Sequence, residues 1–259
     1  MQAGLVQQSP IRRALSYFRP EARAEFIPPS DRKIICDISG WNGDAAHPVN
    51  FAVMATRVAG VYIKATQGVS GIDDQFALSR DGADGVIPFG LYHFVTTQNG
   101  VLQADHFLGT VGGRLGVLPV VLDVEQQSLS AQIVKDCAQR IEERTGALPL
   151  IYTSVNFWGK VYSATAKTWV SDHCPLWVAH WGTEYPSIPY GWTSYVIHQY
   201  TADGVGVEYG TAPPPYADDD IDLSYCRADW LAGYTNPAPT LEERVSILED
   251  AARDHGWDV

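Results

Sequence analysis

Eight short apolar runs, spread over residues 34–224, constrain the fold of this chain more than any other feature. They read IICDIS (34–39), GVYIKAT (60–66), VIPFGLYHF (86–94), VLPVVLDVE (117–125), LPLIYTS (148–154), PLWVAHW (175–181), SYVIHQY (194–200) and DIDLS (220–224). Most are continuously apolar rather than alternating, which is the habit of parallel strands covered on both faces. Longer segments separate them. SLSAQIVKDCAQRIEERTG (128–146) opens with serines suited to capping, carries Ile133, Cys137 and Ile141 at four-residue intervals, and stops at Gly146, so it reads as a helix. VNFAVMATRVAG (49–60) and DDQFALSRDGADG (73–85) read as shorter ones. Strand and helix in alternation predict an α/β fold, and eight strands suggest closure. The segment TADGVGVEYGTAPPPYADD (201–219) is too rich in Gly and Pro for a helix. The expectation is an irregular TIM-like β/α barrel with eight mostly parallel strands and fewer than eight helices.

Two flanks stand apart from this pattern. Residues 1–30 form an N-terminal extension with one candidate helix around RRALSYF, and the barrel is expected over 31–233. A Pro-containing linker at 234–239 leads to a helix at 240–259, where Thr240 and Glu243 have capping-box spacing and Leu241, Val245, Leu248 and Ala252 share a stripe. A lone helix of that length is marginal in water, so it should dock on its own domain, self-associate or attach to a virion or other partner. A formal net charge of −12 argues against binding a phosphate backbone, so nucleic acid is not expected as a partner. No apolar stretch approaches the ~20 residues of a membrane span. The first thirty residues hold four arginines and no uninterrupted apolar segment, unlike a secretory signal. Cys36, Cys137, Cys174 and Cys226 lack metal-ligand or disulfide-framework spacing and read as free buried thiols.

The chemistry is concentrated in carboxylates at strand ends. Asp123 and Glu125 lie two apart at the end of VVLDVE (120–125), so pleating points both to one face. Asp37 ends the first run and Asp222 lies in the last, and the first and last strands of a closed barrel are neighbours. Acids gathered around one mouth repel, which favours keeping one protonated, as a glycosidase needs of its general acid. The carboxylate spacing on a strand does not choose between double displacement and inversion. Tyr62, Tyr92, Phe94, Tyr152, Trp177, Trp181 and Tyr200 lie in or beside strand ends, and flat rings with polar edges suit sugar faces.

The motifs DISGW (37–41), YIKATQG (62–68), GLYHF (90–94), PVVLDVE (119–125), PLIYTSVNFW (149–158), LWVAHWG (176–182), HQYT (198–201) and DIDLS (220–224) follow one another in register. Together they resemble the successive strand motifs of the glycoside hydrolase family 25 muramidases. That resemblance implies a flattened, incomplete β/α barrel that cleaves the β-1,4 bond after N-acetylmuramic acid in peptidoglycan. It implies Glu125 as proton donor, with Asp123, Asp37 and Asp222 around the sugar at the cleavage point. It puts Tyr62, Tyr92, Tyr152, Trp177 and Gln199 on groove positions, and it implies no metal or organic cofactor. Glu125 should be kept protonated by the like charge of Asp123 and by partial burial. The nucleophile is either a carboxylate or the substrate's own 2-acetamido oxygen, the latter favoured because the substrate carries that group; both routes retain configuration.

The chain departs from the family pattern in two places. NGDAAHPVNF (42–51), beside Asp37, fits poorly, and GTAPPPYADDD (210–220) is longer and more acidic than expected, leaving Asp220 as a competitor for the role of Asp222. Asp218, Asp220 and Asp222 alternate as in a calcium loop, but Leu223 stands where such a loop needs Gly, so no metal is expected. A catalytically silent glycan-binding barrel used for wall adhesion is the alternative function, opposed by the presence of all four acids. A chitinase is opposed by the lack of an extended DxxDxDxE run, and no GxSxG supports a serine hydrolase. A protein of this kind would act on bacterial cell wall, released by lysis, carried on a virion or exported by another route.

Overall fold

The computed structural model describes residues 27–161 and 164–235. The apolar runs form strands β1 (Arg32–Ile38), β2 (Val61–Gln67), β4 (Phe89–Phe94), β5 (Val121–Asp123), β6 (Leu150–Thr153), β7 (Leu176–Ala179), β8 (Ile197–Val205) and β9 (Asp220–Arg227), with a short β3 (Gly71–Ile72) appended to β2. The order is β1-β9-β8-β7-β6-β5-β4-β2-β3, and a further β1–β2 pairing closes eight strands into a barrel. Neighbours from β1 through β2, β4, β5, β6 and β7 to β8 run parallel. β9 alone in the closed ring is antiparallel to both neighbours. Asp222 therefore reaches the mouth from near the start of its strand, whereas Asp37 does so from near the end of its own, and the two are register partners.

Seven α-helices are described: α1 (Phe51–Met54), α2 (Phe76–Ala83), α3 (Gly100–Val111), α4 (Ala131–Thr145), α5 (Val155–Val161), α6 (Ala164–His173) and α7 (Ala228–Thr235). Helix α4 begins where expected because Ser130 accepts a hydrogen bond from the Ile133 N–H, and it ends at Gly146 in the left-handed conformation. Helix α3 is built alike, with Asn99 capping Leu102 N–H and left-handed Gly112 closing it. Residues 49–60 yield only the single turn of α1. The Gly- and Pro-rich segment 201–219 indeed holds no α-helix; β8 instead runs on to Val205 and pairs with β9 as far as Asp220.

Strand alternation divides the core into two layers. Outward side chains such as Ile63, Leu91, Leu122, Val124, Ile151 and Val178 pack beneath the helices. Inward ones fill the barrel, among them Ile35, Tyr62, Val121, Leu150, Tyr152, Trp177 and Ile197. Gly90 belongs to this inner layer by necessity: a Cβ there would overlap the Tyr62 ring and stand 2.9 Å from Leu118 Cβ. All four cysteines are free and buried, two layers' worth of small apolar filler.

The two segments that depart from the family pattern pack on each other. His47 stacks on Tyr216 with ring centroids 3.6 Å apart. Backbone bonds join them, from Asn50 N–H to Gly210 O (2.7 Å), Asp218 N–H to Trp41 O (2.8 Å) and Ala212 N–H to Asn42 O (3.1 Å). The unusual loop after β1 and the long approach to β9 thus form one flap-like unit beside Asp37 and Asp222. Ile27 is buried and accepts a hydrogen bond from Arg32 Nε at 2.6 Å, and Leu231 of α7 plugs the barrel's lower end. The candidate helix near RRALSYF and the helix at 240–259 lie outside the described residues.

Candidate active site

The end of β5 is aimed by hydrogen bonds on both sides. Val95 N–H donates to Asp123 O and Val124 N–H donates to Tyr152 O, each at 2.9 Å, while Thr153 Oγ1 donates to Val124 O at 2.9 Å. These bonds carry strand geometry one step beyond Asp123. Val124 then points outward into the core with no exposed surface, and Asp123 and Glu125 both point inward.

At the mouth Asp37, Asp123, Glu125 and Asp222 line one cavity of about 190 Å³, with Lys64, Tyr92, Phe94, Val121, Tyr152 and Trp177. Asp37 and Asp222 come from β1 and β9, Asp123 ends β5 and Glu125 follows two residues later, and Lys64 of β2 supplies the cation. Its Nζ donates to Gln67 Oε1 at 3.3 Å and lies 5.3 Å from the centre of the Phe94 ring. Trp177 meets Tyr152 edge to face at 5.2 Å, and its Nε1 donates to Ser224 Oγ at 3.1 Å, which fixes the indole as a wall.

The electrostatics follow from burial of like charges. Burial raises Asp37 well above the usual carboxylate range, reinforced by the charge of Asp222 and opposed by a hydrogen bond from Gln199. Burial also raises Asp222, while hydrogen bonds from Asp37 and Gln199 pull it down. Gln199 Nε2 donates to both acids, 3.0 Å to Asp37 Oδ2 and 3.1 Å to Asp222 Oδ2, and two carboxyls held this close disfavour a charge on each. Burial raises Asp123 strongly, the Glu125 charge adds to it, and Lys64 opposes. Glu125 is raised to about 7, by burial first and then by the Asp222 charge. Glu125 thus feels the charge of Asp222 across the cavity, and its own charge acts on Asp123. Asp123 lines the cavity, and its Oδ1 is buried without a hydrogen-bond partner.

The residues expected at the site divide by depth. Tyr92, Tyr152 and Trp177 line the cavity together with the four acids. Tyr62 and Gln199, expected along the groove, do not: both are fully buried. Tyr62 sits one same-face step below Lys64, against Trp177 at 4.9 Å, and Gln199 lies behind Asp37 and Asp222. Trp181 stands exposed at the rim, whereas Tyr200 faces outward and stacks on Tyr225 at 4.0 Å. Asp220 is exposed, two residues outward from Asp222, so Asp222 is the cavity residue of β9. Lys64 was missed as a lining residue, although the alternation in YIKAT puts it on the same face as Tyr62 and could have found it.

A closed barrel with a mouth of coupled carboxyls and aromatic walls is the architecture of a glycoside hydrolase. The family model of Glycosyl hydrolases family 25 matches residues 36–208. The chain belongs to that family. It is 31% identical over 189 residues to Lysozyme M1 of Streptomyces globisporus, covering 65% of this chain and 61% of the relative. It is 30% identical over 185 residues to the N,O-diacetylmuramidase of Chalaropsis sp, covering 62% and 87%. Among solved structures, the bacterial lysozyme from Streptomyces coelicolor superposes with a TM-score of 0.64 at 27% identity, covering 79% of this chain and 98% of that one. The chain therefore spans about three fifths of the Streptomyces globisporus relative's length.

Proposed function

We propose that this chain is an N-acetylmuramidase that hydrolyses the β-1,4 bond between N-acetylmuramic acid and N-acetylglucosamine in peptidoglycan, with retention of configuration and Glu125 as general acid. The observation that carries the reading is the shared mouth of Asp37, Asp123, Glu125 and Asp222, in which Glu125 is raised to about 7. A carboxyl poised there is still protonated near neutral pH and can give its proton to a leaving oxygen. Family membership and the names borne by the relatives point the same way.

The substrate's 2-acetamido group serves as nucleophile. Its oxygen attacks the anomeric carbon as the glycosidic bond breaks, and the Glu125 proton passes to the departing sugar oxygen. Water then adds to the anomeric carbon, losing its proton to the Glu125 carboxylate, which restores the acid and the acetamido group. Asp123, which lines the cavity, is suited to accept the acetamido N–H. A donor there favours ionised Asp123, whose charge helps to keep the proton on Glu125. Asp37 and Asp222 place compensating charge beside the developing oxocarbenium ion. Tyr92, Tyr152 and Trp177 wall the sugar, the phenols kept neutral because burial raises both.

Incubation with purified peptidoglycan tests the proposal. New reducing ends should carry muramic acid, identified by mass spectrometry after borohydride reduction, and chemically N-deacetylated glycan should resist cleavage. Glucosamine-type reducing ends would contradict the bond assigned, and equal cleavage of deacetylated glycan would contradict the acetamido route. Binding with no cleavage would favour the adhesion alternative.

A further inference from the structure

Gln199 uses the whole hydrogen-bonding capacity of its amide inside the barrel mouth. Oε1 accepts from the Tyr152 hydroxyl and from Trp181 Nε1–H, each at 2.8 Å. Nε2 donates to Asp37 Oδ2 at 3.0 Å and to Asp222 Oδ2 at 3.1 Å. An indole N–H only donates, so the amide oxygen must face Trp181, and both amide hydrogens are thereby turned toward the carboxyl pair. Gln199 itself is 0% exposed, whereas Trp181 is 58% exposed. A contact chain thus runs from a rim tryptophan, through one amide, to two buried acids.

We infer that Gln199 is a positioning residue rather than a sugar ligand: oriented by Trp181 and Tyr152, its amide holds the Asp37–Asp222 pair as a single anion and so sets the charge facing Glu125. Two N–H donors favour negative charge on the pair, while the repulsion between two carboxyls held on one amide nitrogen disfavours a second charge. The inference depends on the muramidase reading only for what Glu125 does with its proton. Other groups face the pair as well. Lys64 comes from β2, Tyr92 from β4, Asp123 and Glu125 from the end of β5, and Tyr152 from β6. Cys36 lies beside Asp37, and Asp203 and Asp220 add negative charge near Asp222. None of these donates to both acids at once among the hydrogen bonds of the described residues.

Two variants of the full chain separate the roles. Gln199→Met keeps the length and removes all four bonds; Trp181→Phe keeps an exposed ring and removes only the donor that orients the amide. Without the amide donors the pair stays protonated to higher pH, which moves the acid limb of the kcat/KM profile upward. At the alkaline limb the pair is ionised in variant and wild type alike, so that limb, set by Glu125, moves little. The bell should narrow from its acid side by about one pH unit in Gln199→Met and by less in Trp181→Phe. Carboxyl-carbon NMR titration of Asp37 and Asp222 should show higher midpoints in the same order. Lowered kcat with unmoved limbs and midpoints would overturn the inference, as would a rise in KM alone. If Gln199→Met does not fold, Trp181→Phe carries the test, since its ring is largely in solvent. An inactive wild-type chain whose midpoints nevertheless rise in the variants would sink the muramidase reading and leave the role of Gln199 standing.

Discussion

Each acid at the mouth is held in a state that costs the fold something and equips the site. Glu125 rises from an ordinary carboxylate value to about 7 because burial and Asp222 disfavour its charge. Since the folded value lies above the unfolded one, its contribution to stability is complete below the unfolded pKa and is lost as pH climbs through about 7. Asp37, Asp123 and Asp222 are raised too and act with the same sign. Urea unfolding should therefore show a less stable protein at pH 8 than at pH 5, and Glu125→Gln should regain about 1–2 kcal/mol at pH 8 and little at pH 5. A variant no more stable than wild type at pH 8 would mean that Glu125 is not strained by burial. Activity should follow the same groups, with the alkaline limb of kcat/KM near pH 7 in the free enzyme. At this scale the sequence was readable where period two applies: Asp123 and Glu125 share a face because they are two apart on a strand. Depth was not readable, because pleating assigns a side but no height along the barrel axis. Tyr62 and Gln199, which the family resemblance puts on groove positions, are both fully buried.

Among the elements, β4 shows how a strand's composition is dictated by what it faces. Gly90 stands where the barrel interior is already filled by Tyr62 and Leu118. Gly90→Ala should force the ring aside and destabilise the protein by about 1–3 kcal/mol, measured by chemical denaturation. An unchanged midpoint would show that Tyr62 has room to move. The helices were legible where a cap and a stop bracket an apolar period, as in α4, and α3 carries the same signals in Asn99 and Gly112. The direction of β9 was not legible. DIDLS reads equally well in either sense, and only its pairing with β1 and β8 decides it. That reversal has a functional result: it brings Asp222 opposite Asp37, where two parallel strand ends would have been offset by the barrel's stagger.

For the molecule as a whole, closure is the step that makes the site. The β1–β2 and β1–β9 pairings bring acids separated by most of the chain around one cavity, and no local segment could assemble it. Every lining residue lies within 37–222, so a chain of residues 27–235 should retain cleavage of purified glycan strands. Loss of that cleavage with folding intact, checked by circular dichroism, would assign the flanks a part in catalysis. Family membership was readable because eight motifs occur in order; the joined loops at 42–51 and 210–220 were readable only as misfits, since contacts such as His47 on Tyr216 link positions far apart in sequence. The most direct test of the whole reading is the rate at which Glu125→Gln releases reducing ends from peptidoglycan, compared with wild type at pH 6. A fall of about 10²–10⁴-fold, with binding to insoluble peptidoglycan retained, is the expected result. Cleavage at the wild-type rate would show that the proton comes from elsewhere and would contradict the assignment of this site.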